Sequence, residues 1–300
     1  MTSQLLLYTQ PRSGSHLLER MLEGQLNCTP FLRLFEDGWH HHIIEWLRRD
    51  DYANGMPADA NSKYEDDMHS GIKEWQEELS KAQQVGTILM VHTHSFFPAS
   101  AESILKYTET PRPQPSPGEN FTLVPDSLLC YPGTVPILTI RNPRLAVPSA
   151  YKAMQNIIPD GDRPNLQLLT NLIWTRLLYD YYEANSIEPL VVDADDYMTS
   201  ESFVKQLCSK AGLNPEQATL AWSPTTEQEK DGLQQPYVAV QTTLMGSTAA
   251  NPGRAAKNLN LDDEEKKWKE EFGEKLPLIQ ELVQLAMPHY EYLYERRLRF

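Results

Sequence analysis

A short polar turn near the amino terminus has the residue types that bind phosphate or another anion. It follows the apolar run 4–9, precedes a helical pattern, and consists of Arg12, Ser13, Gly14 and Ser15. Backbone N–H groups, the positive end of a helix dipole and a forked guanidinium all attract phosphate oxygens. Glycine permits the close approach or positive φ of such a turn. A plain capped strand-to-helix turn is an equally good interpretation of this stretch alone.

A second candidate anion site follows another apolar run, at residues 135–141. Arg141 ends that run, Pro143 permits a helix to begin, and Ser149 comes eight residues after Arg141. An arginine at a strand end and a hydroxyl two turns into the next helix can bind one phosphate together. Alone, this pattern is more typical of a capped helix beside an arginine ion pair. Two such sites on neighbouring strand ends are more specific than either one.

Two side chains qualify as a general base. His94 follows the apolar segment 86–92, and an imidazole can take the proton of a hydroxyl as a bond forms at its oxygen. A structural histidine bonded to a backbone carbonyl is the alternative there. Glu36 follows the short apolar run 31–35 and is the second candidate, although it also suits the acidic start of a helix.

The elements that must position these residues form an alternating pattern of strands and helices. Four nearly continuous apolar segments predict strands buried on both faces of a parallel sheet: 4–9, 86–92, 135–141 and 188–195. Helical periodicity between and after them predicts helices at 15–26, 38–49, 70–83, 145–155 and 165–185. The alternation predicts an α/β fold with a three-layer α/β/α arrangement and a central, mostly parallel sheet.

The rest of the chain is expected to belong to the same single domain, 1–300. A proline-rich stretch predicts an exposed insertion at 108–127, and a long polar stretch predicts a loop or lid at 223–260. An acidic start and a basic end predict one or two amphipathic helices at 262–298.

Composition limits the classes of partner. The 300 residues include 27 Lys and Arg against 41 Asp and Glu, a net charge of −14. Such a surface repels nucleic acid and anionic lipid, so we expect a small neutral acceptor and neither nucleic acid nor membrane as partner. Three widely spaced cysteines without a Cys-x-x-Cys pair, and no signal or membrane segment, favour a soluble cytoplasmic protein. The run His40-His41-His42 does not have the spacing of a metal site, and we expect none.

Taken together, "QPRSGSHLL" and "IRNPRLAVPSAYKAM" resemble the two signature elements of the sulfotransferases that use 3′-phosphoadenosine 5′-phosphosulfate (PAPS). The resemblance implies that the first element binds the 5′-phosphosulfate through Arg12 and residues 13–16, including His16. It implies that Arg141 and Ser149 bind the 3′-phosphate. It also implies that the acidic segment 191–198 positions and caps neighbouring elements.

The resemblance implies that His94 is the general base, because it falls on the histidine of the family's Lys-Thr-His strand end. His92 stands where the family usually has lysine, and Arg12 stands where lysine is more familiar. Some branches use a glutamate base from the region of Glu36. The family's late Arg-Lys-Gly segment is not matched by "NPGRAAKNLN", and Arg254 is the residue we transfer as a 3′-phosphate ligand.

These observations predict sulfuryl transfer from PAPS to a hydroxyl of a small, largely apolar molecule, with a homodimer possible through the apolar stretches 137–155 and 276–298. The alternative is a sulfotransferase-fold enzyme with PAPS-independent acid/base chemistry, such as elimination or cyclisation. A kinase or nucleotide hydrolase is disfavoured because the usual Lys-Ser/Thr pair is absent. A non-catalytic nucleotide-binding protein is the remaining alternative.

Overall fold

The centre of the molecule is a parallel β-sheet. The computed structural model describes residues 1–108, 116–155, 157–158, 162–226 and 242–300. Its strands are β1 (Gln4–Thr9), β2 (Cys28–Arg33), β3 (Ile88–His94), β4 (Thr134–Ile140) and β5 (Leu190–Asp193), in the spatial order β2-β3-β1-β4-β5. Every pairing is parallel, so all carboxyl ends meet at one edge of the sheet. Ligands of open α/β sheets bind at that edge.

Helices cover both faces of the sheet. They are α1 (Ser15–Leu22), α2 (Glu36–Gly38), α3 (Ile44–Leu47), α4 (Ala58–Val85), α5 (Ala101–Thr108), α6 (Asp126–Leu129), α7 (Pro143–Met154), α8 (Arg163–Thr170), α9 (Ile173–Ala184), α10 (Ala194–Thr199), α11 (Glu201–Lys210), α12 (Leu261–Phe272) and α13 (Leu276–Glu295). One π-helical turn, Trp39–Ile43, joins α2 to α3. Within the described residues, no helix is both long enough and apolar enough to cross a bilayer.

The core has two parts because side chains alternate across each strand. Leu5 and Leu7 of β1 pack with α1 and α11 on one face of the sheet. Leu6 and Tyr8 pack on the other face, in the larger cluster that includes α4, α9 and α13. The structure thus has the three-layer α/β/α arrangement predicted from the alternating pattern.

The four predicted strands are present, and the sequence pattern missed β2. This strand contains Pro30, lies at the edge of the sheet and has mostly half-buried side chains. Proline is tolerated at a sheet edge because an edge strand need not donate all of its N–H groups. Without continuous apolar residues, β2 had no strand signature of the kind that identified the others.

Several predicted helix boundaries were wrong. The single helix expected at 165–185 is broken, because Asn171 is extended and its side chain accepts a hydrogen bond from the Ile173 amide at 3.0 Å. Asparagine competes with helical backbone in this way. The helix expected at 70–83 begins earlier, at Ala58, and α5 was not predicted.

The carboxyl-terminal segment forms two helices, as expected. The apolar face of α13 is buried within the protein, with Ile279, Leu282 and Leu293 almost fully buried. Parts of the two predicted loops, residues 109–115 and 227–241, lie outside the described residues. The described part of the first predicted loop includes Phe121, whose side chain is buried in the protein.

Candidate active site

The turn between β1 and α1 is shaped for an anion at its outer side. Gly14 has φ +83°, and a Cβ there would lie 2.9 Å from both Met198 Cε and the Tyr197 hydroxyl. Only glycine therefore fits. The Ser13 amide donates to the Gln10 carbonyl at 3.0 Å, so Ser13 stabilises the turn from inside. The first amides of a helix have no acceptor within the helix itself, so the start of α1 at Ser15 is suited to an anion.

The two predicted anion sites are in direct contact. Arg12 Nε donates to Ser149 Oγ at 3.0 Å, and Arg141 Nη1 donates to the Arg12 carbonyl at 2.9 Å. Helix α7 carries Ser149 into place, and Asn142 caps that helix by accepting from the Arg144 amide at 3.0 Å. The first and second signature elements consequently form one site.

A cavity of about 210 Å³ lies over this junction. Among the described residues, its lining includes the predicted Arg12, Gly14, Ser15, His16, Arg141, Ser149 and Arg254. The rest of the lining comes from Leu17, from Met198, and from the late segment, through Thr243, Leu244, Ser247, Ala249, Ala250 and Asn251. Described residues of the expected loop 223–260 therefore close one side of the cavity.

Three guanidinium groups meet at the cavity. Burial, Arg141 and Arg254 lower the pKa of Arg12. Burial also lowers the pKa of Arg141, although Tyr197 and Asp195 oppose that change, and Arg254 lowers it further. Arg141 Nε is buried and has no hydrogen-bond partner among the described residues. Repulsion between like charges and an unpaired buried donor both favour a bound anion.

Arg254 reaches the cavity although its segment lacks the expected motif. Its carbonyl accepts from Arg141 Nη2 at 3.4 Å. Two residues further on, the Asp195 carboxylate accepts from the amides of Ala256 at 2.6 Å and Lys257 at 2.8 Å. This pair of hydrogen bonds anchors the segment to the strand end of β5. The positioning role expected for the acidic segment 191–198 is present here.

His94 lies at the same edge of the sheet, at the end of β3. Its Nδ1 is 2.8 Å from Thr9 Oγ1, and its ring stacks on Phe96 and meets the edge of Phe97. The side chain is partly exposed, so its other nitrogen is available for a ligand. Burial, followed by His92 and His16, holds the pKa of His94 well below its usual value.

Neither Glu36 nor His94 is among the described residues that line the cavity. Glu36 is exposed at the start of α2, which follows β2, the strand next to β3. The roles of His94 and Glu36 as a base stay predictions.

Comparison with known proteins supports the family suggested by the two signature elements. A scan against models of protein families finds no match. The chain is 29% identical to sulfotransferase ppzF of Metarhizium rileyi, over 98% of this chain and 95% of that protein. It is also 29% identical to sulfotransferase ppzF of Metarhizium majus, over 98% of this chain and 96% of that protein. The chain is similar to these two sulfotransferases over nearly its whole length.

The structure has a largely buried charged cluster that the sequence analysis missed. Arg33 Nη2 donates to both Glu19 oxygens, at 2.9 and 2.8 Å. His16 Nδ1 and His92 Nδ1 each lie 3.1 Å from Glu19 Oε2. Burial would raise the pKa of Glu19, but hydrogen bonds from both histidines and the charge of Arg33 lower it well below its usual value.

The same cluster has ligand atoms close enough for a metal ion. Among the described residues, one ligand atom each from His16, Glu19 and His92 lies within 4.8 Å of the others. Arg33 already neutralises the carboxylate, so the cluster is stable without a cation. The one sequence signal for it is spacing, since Glu19 is one helical turn after His16 and therefore on the same face of α1.

Proposed function

We propose that this protein transfers a sulfuryl group from PAPS to a hydroxyl of a small, largely apolar molecule. The observation that carries the proposal is the convergence of three arginines and the start of α1 on one cavity, at the edge of the sheet where β3 ends in His94. The relatives named sulfotransferase support the same class of reaction.

The hydrogen-bond donors that line the cavity fit a nucleotide with two separate phosphate groups. Arg12 and the amides at the start of α1 would bind the 5′-phosphosulfate. Arg141, Ser149 and Arg254 would bind the 3′-phosphate, and the buried Arg141 Nε would gain a partner. When bound, PAPS supplies the activated sulfuryl group.

Fixed positive charge is the main contribution of the first element. Arg12 and the amides that open α1 stabilise negative charge at the leaving phosphate oxygen without moving, because the turn is held from inside by Ser13. Such preorganised donors act strongly in a site that excludes water. Positioning and electrostatics therefore account for most of the catalysis, as in phosphoryl transfer.

His94 is the proposed general base. Its lowered pKa keeps the imidazole neutral at physiological pH, and its Nε2 takes the proton of the acceptor hydroxyl. Glu36 is the second candidate, because it follows the neighbouring strand end and is exposed.

The surroundings of His94 favour an apolar acceptor. Phe96 and Phe97 contact the imidazole ring, and Trp39 contacts both phenylalanines. These three rings are buried in the core, so they make the surroundings of the imidazole apolar. A net charge of −14 disfavours large polyanionic acceptors.

The test measures turnover with PAPS and a panel of phenols and alcohols. The reaction is monitored by the release of 3′,5′-phosphoadenosine and by mass spectrometry of the sulfate ester. We expect His94→Ala to lower kcat by about a hundredfold or more. His69→Ala, in an exposed histidine of α4, is the matched control and keeps full activity. Unchanged turnover in His94→Ala excludes His94 as the base.

A second candidate function is PAPS-independent acid/base chemistry, such as elimination or cyclisation. The observation that favours it is the paired carboxylate and imidazole of Glu19 and His92 close to His94, where the family pattern has a lysine. Under this alternative, the protein does not bind 3′,5′-phosphoadenosine, and activity does not require PAPS.

A further inference from the structure

We propose that Glu19 and His92, acting through the Thr9 hydroxyl, fix His94 in the tautomer whose Nε2 carries no proton. These three are positioning residues, and their importance for catalysis rests on the proposed function of His94. The inference concerns the buried side of the site, away from the cavity that binds the donor.

The residues form one continuous chain of hydrogen bonds. Glu19 Oε2 is 3.1 Å from His92 Nδ1, His92 Nε2 is 3.1 Å from Thr9 Oγ1, and Thr9 Oγ1 is 2.8 Å from His94 Nδ1. Glu19, His92 and Thr9 are each at most 5% exposed. Water therefore has little access to compete for these bonds.

Strand register brings the chain together. Thr9 pairs with His94 across β1 and β3, and Leu7 pairs with His92. His92 and His94 lie on the same face of β3 because side chains alternate with a period of two. Glu19 projects from α1, which packs on the face of the sheet that contains Leu7. Every member is thus placed by regular secondary structure.

The direction of the chain follows from the number of protons available. A carboxylate can only accept, so His92 Nδ1 must donate to Glu19. A neutral His92 ring that donates from Nδ1 has an unprotonated Nε2, and that nitrogen accepts the single proton of the Thr9 hydroxyl. The Thr9 oxygen then accepts from His94 Nδ1–H. His94 Nε2 is left with a free electron pair toward the acceptor.

The opposite direction would disable the base. If Thr9 donated to His94 Nδ1, the ring would carry its proton on Nε2, and that nitrogen would have no free electron pair with which to take the proton of the acceptor. The tautomer of a histidine is set by the hydrogen bond of its other nitrogen. Because Glu19 is a carboxylate and can only accept, each group in the chain donates toward Glu19, and His94 Nε2 is left unprotonated.

The tautomer is measurable without donor or acceptor. The protein is labelled with ¹⁵N-histidine, and long-range ¹H–¹⁵N correlations are recorded at about pH 8, above the range in which histidines titrate. The His94 signals are identified by their loss in His94→Gln. We expect a protonated, pyrrole-type Nδ1 and an unprotonated, pyridine-type Nε2 for His94.

Three variants test the chain itself. Thr9→Val removes the hydroxyl while retaining side-chain shape, and we expect the His94 signals to shift toward the Nε2–H form. Thr9→Ser keeps a hydroxyl and retains the wild-type signals. His92→Phe removes the nearer acceptor of the Thr9 proton, at 3.1 Å, and leaves the Thr93 carbonyl at 3.5 Å. We expect the same direction of shift as in Thr9→Val, which provides a second route to the result.

Kinetics separate this inference from the proposed function. We expect Thr9→Val to lower kcat by roughly tenfold while the Kd for 3′,5′-phosphoadenosine is unchanged, with Thr9→Ser restoring kcat. An Nε2–H tautomer in the wild-type protein, or unchanged signals in both Thr9→Val and His92→Phe, overturns the relay. Full turnover in His94→Ala overturns the base assignment instead, and leaves the NMR result standing.

Discussion

Arg141 is the residue on which the second anion site depends. It is partly buried, contacts the carbonyls of Arg12 and Arg254, and retains one unpaired buried donor among the described residues. A charge-assisted hydrogen bond to phosphate contributes more than a neutral one. We therefore predict that Arg141→Ala raises the Kd for 3′,5′-phosphoadenosine by roughly ten- to a hundredfold, measured by calorimetry.

Arg144 provides the matched control for this prediction. It lies on the same helix, α7, and forms ion pairs with Asp262 and Glu265 of α12. Arg144→Ala removes the same charge from the molecule without touching the cavity. Equal losses of affinity in Arg141→Ala and Arg144→Ala would attribute the effect to net charge, and would remove Arg141 from the site.

His94 determines the expected pH dependence. Because the protein lowers its pKa, the imidazole is neutral and active as a base down to a pH below its ordinary value of 6.5. We predict that kcat/KM falls on the acid side with a midpoint below 6.5, in a profile measured at saturating PAPS. An acid limb that disappears in Glu36→Gln would assign the base to Glu36 instead.

At the level of elements, the position of the segment 251–260 bears directly on the second anion site, because it carries Arg254. Asp195 bonds the amides of Ala256 and Lys257, and this keeps Arg254 beside Arg141. We predict that Asp195→Ala weakens binding of 3′,5′-phosphoadenosine, by less than Arg141→Ala does, because the ligand itself helps to order the segment. Hydrogen exchange at the amides of Ala256 and Lys257 should become faster.

Asp262→Ala is the control for that element. It removes a carboxylate from the exposed start of α12, where that carboxylate accepts from Arg144 and not from the amides of Ala256 and Lys257. Slow exchange at Ala256 and Lys257 in Asp195→Ala would show that other contacts fix the segment, and the anchoring role of Asp195 would be wrong.

The sequence could predict those parts of the fold and of the cavity that depend on strands with a clear apolar pattern. Strands β1, β3, β4 and β5 have continuous apolar residues, and the two anion-binding turns follow the ends of two of them, so the fold and most cavity residues were predictable. Edge strand β2 lacks that signature, and so Arg33 was missed together with its partner Glu19. Their pairing depends on packing between α1 and the sheet edge, which no local pattern records.

On the scale of the whole molecule, Asp193 links the sheet to the carboxyl-terminal helix. Its carboxyl group accepts from the Asp195 amide at 2.8 Å and from the Tyr290 hydroxyl of α13 at 2.9 Å. Burial is the main cause that raises the pKa of Asp193 to about 7, against an ordinary value of 3.8. At pH values between 3.8 and about 7, Asp193 is protonated in the folded protein and ionised in the unfolded chain.

This difference makes stability fall as pH rises. Each increase of one pH unit in that range lowers the free energy of unfolding by about 1.4 kcal/mol. The stability that the protonated Asp193 provides is fully present below pH 3.8 and is lost once the pH has risen past its folded pKa of about 7. We predict that Asp193→Asn, which cannot ionise, gains up to about 3 kcal/mol relative to the wild type between pH 5 and pH 7. Parallel urea titrations of the two proteins at each pH measure this. A constant difference between them would contradict the prediction.

The surface charge of the molecule and the charge of its cavity have opposite signs. Against a net charge of −14, Arg12, Arg141 and Arg254 concentrate positive charge at the carboxyl edge of the sheet. Local guanidinium groups act at short range, where the distant acidic surface is screened by salt. The molecule therefore combines a selective anion site with a surface that repels polyanions, which favours a nucleotide donor and a neutral acceptor.

Calorimetric titration with 3′,5′-phosphoadenosine tests the central claim most directly, because it needs no knowledge of the acceptor. We predict one binding site per chain with micromolar affinity, displaced by PAPS and weakened in Arg141→Ala but not in Arg144→Ala. The absence of binding at millimolar concentration would contradict the account, and would favour a protein that has this fold and uses a different chemistry.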